Sequence, residues 1–191
     1  MKYLKLFESF NEFEINKLCK KYDIRNYTIN NDGSIDVDDG VYLGDYRLFE
    51  LPIKFNKVNR IFICRDNMLE TLNGCPKEVN GDFICNNNIL TSFEFAPKII
   101  RGQFDCRYNY IKSFEHFPSY VKQFYCIHNP IFEIWDLFRD TSKVELLNDF
   151  DIFRDEDKEL PSIFIDRLND FLEMIGKKTI KTLPGFSYKP I

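Results

Sequence analysis

The sequence predicts an α+β fold: a short solenoid of about five coils with a parallel sheet, closed at one end by a helix and hairpin and at the other by helices. Three observations carry that reading. Cys64, Cys85, Cys106 and Cys126 stand 21, 21 and 20 residues apart, and Phe62, Phe83, Phe104 and Phe124 keep the same step, as do Asn67, Asn88, Asn109 and Asn129. The apolar spacing of one helical face is read on either side of this region, over Ile15 to Tyr22 and again after Asn129. Finally, 20 Phe and 10 Tyr stand beside a single alanine, Ala96, so the core is built from large rings rather than close backbone contact.

The first element, over residues 1–40, is a cap. Asn11 followed by Glu14 has the form of a helix N-cap pair, and Ile15, Leu18, Cys19 and Tyr22 then share one face, which predicts a helix from about Glu12 to Tyr22. The segment YTINNDGSIDVDDGVYL alternates apolar and polar residues across Asp32-Gly33, the pattern of a hairpin leading into the first coil.

Residues 41–130 form the solenoid. A unit reads F-x-C-x-x-N-x-[LI]-x-x-[LFI], with Leu69, Leu90, Ile111 and Ile131, and then Leu72, Phe93, Phe114 and Ile134, in phase. A strand F-x-C turns alternate side chains inward. The asparagine amide then bonds backbone groups of the turn and the neighbouring coil that would otherwise be buried unpaired. Gly81 and Gly102 fit tight corners before the strand, and Pro76, Pro97 and Pro118 mark an irregular return too short for a long helix. One degenerate unit precedes these, apolar at Val41, Leu43, Leu48, Leu51 and Val58, with Tyr46 in place of the asparagine.

Residues 131–191 close the other end. Ile131, Ile134, Trp135 and Phe138 share a helical face, Ser142 and Glu145 open a second short helix, and Phe164, Leu168, Phe171, Leu172 and Ile175 fit a third that stops at Gly176. Trp135, the single tryptophan, is read as an anchor between this cap and the last coil. The tail from Lys177, with four lysines, Pro184, Gly185 and Pro190, is expected to be loosely ordered.

A formal charge of -4 excludes a strongly basic nucleic-acid-binding domain. Without an unbroken apolar run long enough to span a membrane, and with Lys2, Lys5, Glu8 and Glu12 near the start, the chain is expected in the cytoplasm and off the membrane. Six sparse cysteines with a 21-residue step read as a buried column of small side chains rather than a disulfide framework or a zinc site, so no metal and no cofactor are assigned.

Candidate chemistry is thin. His116 and His128 have no Ser, Cys or carboxylate at a spacing that specifies a triad, and no catalytic residue is assigned. Asp32, Asp36, Asp38 and Asp39 resemble part of a calcium loop but lack its closing glutamate. The chain is therefore expected to bind rather than catalyse. Positions pointing out of the predicted strands give Ile63, Arg65, Ile84, Asn86, Asp105, Arg107, Tyr125 and Ile127, with Tyr108 beside them. Arg and Tyr on a rigid sheet are common anchors of protein interfaces. An alternative places RNA on the same face, with Arg65, Arg107, Tyr108, Tyr125 and His128 contacting phosphates and stacking on bases, although residues 41–130 hold only 11 Lys+Arg against 9 Asp+Glu. A further alternative makes the C-terminal cap a nucleic-acid mimic through Asp149, Asp151, Asp155, Glu156, Asp157 and Glu159, in a stretch (136–173) with 5 cations and 12 anions.

With Phe and Cys in the leucine slots, the unit resembles the leucine-rich repeat, L-x-L-x-x-N-x-L-x-x-L. The segments NGCPKEVNGDFICNNNILTSFEFAPK, DGSIDVDDGVYL, HNPIFEIWDLF and IDRLNDFLEMIGKK together are similar to a family of small leucine-rich-repeat-like proteins of tailed phages and prophages. That resemblance implies a capped solenoid acting on a host bacterial protein or ribonucleoprotein complex, for example as an inhibitor of a defence system of the anti-CRISPR kind, in the host cytoplasm.

Overall fold

The computed structural model describes residues 12–155, 162–184 and 186–188. Helix α1 (Glu12–Lys21) buries Ile15 and Cys19 and runs into the hairpin of β1 (Tyr27–Ile29) and β2 (Ile35–Val37). The hairpin pairs antiparallel, Tyr27 opposite Val37, and turns through Gly33 at φ 75°. Asn11 lies outside the described residues.

From here the chain winds. Each coil crosses the sheet twice, so two parallel ladders climb side by side. One passes from β2 through β4 (Phe55–Val58) and β6 (Glu78–Val79). The other passes from β3 (Val41–Tyr42) through β5 (Phe62–Ile63) and β7 (Phe83–Ile84). They merge in β8 (Ile99–Asp105), which pairs with β9 (Tyr120–Tyr125). The expected parallel sheet is thus mixed, because β1 returns antiparallel on β2. Five rungs per ladder enclose about four complete turns, one fewer than the five coils the repeat count implies.

The inward columns are those of the repeat. Phe62, Phe83, Phe104 and Phe124 stand in register, and their rings meet at centroid distances of 5.4 to 5.7 Å. Cys64, Cys85, Cys106 and Cys126 are buried and free. Burial pushes the thiols of Cys85, Cys106 and Cys126 up, since a thiolate there would be stripped of water. Cys75 and Ala96, 21 residues apart, are also core, and Phe117 packs against it one turn later.

The asparagines form a complete ladder. Asn88 accepts the N–H of Leu69 (3.0 Å) and donates to the carbonyls of Cys64 and Cys85 (both 3.0 Å). Asn109 repeats this one coil on with Leu90, Cys85 and Cys106, and Asn129 with Ile111, Cys106 and Cys126. Asn67 reaches the first, degenerate coil through Leu48 and Leu43. In that coil Tyr46 leaves the column and meets Tyr22 of the cap edge to face.

Between the two crossings the chain turns a corner where consecutive coils come closest. A Cβ on Gly102 would stand 2.7 Å from the carbonyl of Gly81, and one on Gly81 would stand 2.8 Å from that of Arg60. Only glycine lets these backbones approach and bond, Gly102 N–H to Gly81 O and Gly81 N–H to Arg60 O, each 3.0 Å.

Helix α2 (Phe132–Phe138), a 3₁₀ turn (Thr141–Lys143), α3 (Val144–Asp149) and α4 (Ile165–Met174) cover the last coil. Trp135 sits edge-on to Phe124 with ring centroids 4.9 Å apart, joining cap to coil. A small second sheet, absent from the sequence reading, joins β10 (Phe153–Asp155), β11 (Ser162–Ile163) and β12 (Ser187–Tyr188). Among the described residues of the tail it differs from the expected loose order: Leu183 and Phe186 are buried, and β12 pairs parallel to β11. No helix among the described residues is long and apolar enough to cross a membrane.

Candidate interaction face

The second ladder presents a flat outer surface whose side chains are fixed by the register beneath. Along its strands run Tyr42, Ile63, Ile84, Asp105 and Tyr125, one per rung. Two residues further along each coil come Arg65, Asn86, Arg107 and Ile127, and one beyond that Asp66, Asn87, Tyr108 and His128. This last column is left-handed throughout, at φ 54°, 55°, 55° and 61°. The turn that aims each ladder asparagine inward requires it. Asp, Asn and His are the side chains most often found in that conformation, whereas Tyr108 holds it against its bulk.

The face changes character along its length. At the first coils an exposed ring, Tyr42, stands alone, and the rest is polar and internally paired: Arg65 reaches Asp66 (2.9 Å) and Asp45 (3.8 Å), and Asn87 donates to Asp66 (2.7 Å). At the last two coils it is aromatic. Tyr108, 51% exposed, stacks on His128 with centroids 4.3 Å apart and planes 21° from parallel. The Arg107 guanidinium lies 6.0 Å from the Tyr125 ring centre, and Ile127 is exposed beside them.

Of the predicted surface residues, Arg65, Tyr108, Tyr125 and Ile127 are exposed, and Ile63, Asn86 and Arg107 are half-buried. Asp105 is not on the surface. It is 5% exposed, because Arg107 folds back over it with two bonds, Nε to Oδ1 (2.9 Å) and Nη2 to Oδ2 (2.7 Å). The carboxylate in turn holds the guanidinium charged, raising its pKa by hydrogen bonding first and charge second. Asp105 is therefore a positioning residue under the face. Tyr110, 58% exposed, and Ile89 extend the patch sideways. They occupy the variable place in N-x-[LI], which in every coil from Met68 onward holds a non-charged residue, a signal the motif contained but alternation along the strand does not reveal.

The other candidates resolve differently. Asp32 accepts from Ser34 and Lys54, Asp36 from Asn56, Asp38 from Asn59 and Asp39 from the Gly40 N–H, so the four aspartates face separate partners. The bonds from Ser34 and then Lys54 hold the Asp32 carboxyl well below the usual carboxylate range. No group of three metal-type side chains converges among the described residues. His116 sits in the return beside Glu115, and the Ser142 hydroxyl donates to Asp140 (2.6 Å), whose carboxylate caps the 3₁₀ turn by accepting the Ser142 N–H (2.9 Å). In the acidic stretch, Asp151 is bonded by Arg167 (2.9 Å). The Asp155 side chain and all of Glu156, Asp157 and Glu159 lie outside the described residues. Compared with known proteins, the chain matches no family model, no curated protein and no solved structure.

Proposed function

We propose that this chain is a non-enzymatic binding scaffold of leucine-rich-repeat type that captures a protein on the aromatic end of its outer sheet face. The observation that carries this is the set of exposed rings held rigid by stacking and by the Arg107–Asp105 pair. Rings that are already ordered lose little freedom on docking. The likeness to solenoid proteins of tailed phages supports a bacterial host partner, a protein or a ribonucleoprotein complex in the cytoplasm, inhibited as anti-CRISPR proteins inhibit theirs. The paired state of Arg65 and Arg107 favours protein over RNA, since a phosphate track needs cations whose charge is not already met.

The test compares wild type with the triple variant Tyr108→Ser, Tyr125→Ser, Ile127→Ser as bait in nuclease-treated bacterial lysate. The protein identified is then titrated against both. We expect capture to survive nuclease and the triple variant to bind about 10- to 100-fold more weakly, with unfolding unchanged. Equal affinity would dismiss this face, and loss of capture on nuclease treatment would favour RNA.

A further inference from the structure

Two Asn-Gly pairs occur in the chain, Asn73-Gly74 and Asn80-Gly81. In such a pair the side-chain amide carbon of the asparagine is open to attack by the backbone nitrogen of the glycine, whose missing Cβ leaves the approach uncrowded. The fold treats the two pairs oppositely.

Asn80 lies at the corner and is held from several sides. Its Nδ2 donates to Asn59 Oδ1 (2.9 Å), its Oδ1 accepts from Arg101 Nε (3.0 Å), and its backbone N–H donates to Val58 O (2.9 Å). The Gly81 nitrogen is occupied as well, bonded to Arg60 O (3.0 Å) and packed so closely that a Cβ on Gly81 would stand 2.8 Å from that carbonyl. Neither the amide nor the nitrogen can turn toward the other without breaking the corner.

Asn73 is exposed in a return loop. Its backbone N–H donates to Thr71 Oγ1 (3.2 Å), but among the described residues its side-chain amide has no hydrogen-bond partner and no acceptor meets the Gly74 N–H. Gly74 is left-handed at φ 91°, and a single bond, Cys75 N–H to Leu72 O (2.9 Å), closes the turn around the pair. The same place one and two coils on holds Glu94 and Glu115, and the Glu94 N–H makes the matching bond to Ser92 Oγ (3.3 Å). A carboxylate therefore suits this loop.

We propose that Asn73 is a site of spontaneous covalent modification by deamidation. The Gly74 nitrogen bonds to Asn73 Cγ, the Cγ–Nδ2 bond breaks, and the nitrogen's proton leaves with Nδ2 as ammonia, which closes a cyclic imide. Water then opens the ring, at Cγ to give aspartate or at the main-chain carbonyl carbon to give isoaspartate, with no change of oxidation state. Both products put a new carboxylate in the loop. The isoaspartyl form also lengthens the turn that presents Gly74 O to the Phe55 N–H (2.8 Å).

The test ages the full-length protein in mildly alkaline buffer and weighs its proteolytic peptides. Cleavage after Lys77 separates the two pairs, residues 66–77 from residues 78–98. In the folded protein the replacement of NH by O should accumulate at Asn73 about tenfold or more faster than at Asn80, because reaction at Asn80 requires the corner bonds to open first. In concentrated urea the two rates should become equal, and Asn73→Gln should abolish the gain in the first peptide. Equal rates at the two sites in the folded protein, or a difference that persists unchanged in urea, would overturn the proposal.

Discussion

Replacing Asn88 by leucine is expected to destabilise the fold by about 2–6 kcal/mol, measured by urea unfolding. Leucine matches the size but neither role of the amide. The buried N–H of Leu69 loses its only acceptor, at about 1–3 kcal/mol for an orphaned donor. The carbonyls of Cys64 and Cys85 each lose one of two donors, since Asn67 and Asn109 still reach them (3.0 and 3.1 Å); each lost bond contributes about 0.5–1.5 kcal/mol. For a chain of this length the melting temperature should fall by about 5–15 °C. Exposed Asn73, outside the ladder, serves as comparison, and its replacement by leucine should cost under about 0.5 kcal/mol.

Phe104→Ala is expected to cost about 3–5 kcal/mol, through lost transfer energy and the cavity left behind. Phe104 is fully buried, and its ring lies 5.4 to 6.3 Å from those of Phe83, Phe93, Phe117 and Phe124. These neighbours come from four different segments held by the sheet and cannot collapse into the space together. Phe95 gives the contrast: it is exposed, at φ 63°, in the return loop. Phe95→Gly should leave stability unchanged or raise it, because glycine relieves the left-handed backbone. Parallel denaturant titrations separate the two cases.

The inner columns were legible in the sequence because each coil asks the same of the same position: a ring at Phe83, a small apolar group at Cys85, an amide at Asn88. Those demands come from packing and backbone pairing, so they recur at a fixed step. The first ladder was harder to see. Beyond β4 each coil contributes one buried apolar side chain to it, at Val79, Ile100 and Val121, before the corner ends that stretch. The small second sheet was missed because strands of two or three residues carry almost no periodicity.

On the face, alternation along the strand gave the direction of Ile63 and Tyr125 correctly and failed at Asp105. Alternation states which side a Cβ leaves from, not what folds over it, and the covering group comes from Arg107 two residues on. The left-handed column carries residues usual in that conformation at Asp66, Asn87 and His128, and one that is not at Tyr108.

The most direct test of the stacked coils is the set of proton–proton contacts among labelled cysteine side chains in solution. Neighbouring rungs lie about 4.8 Å apart, so Cys64 should show contacts with Cys85, Cys85 with Cys106, and Cys106 with Cys126, while Cys64 shows none with Cys106 or Cys126. Contacts that skip a rung, or no contacts between successive members of the series, would contradict the winding on which the face depends.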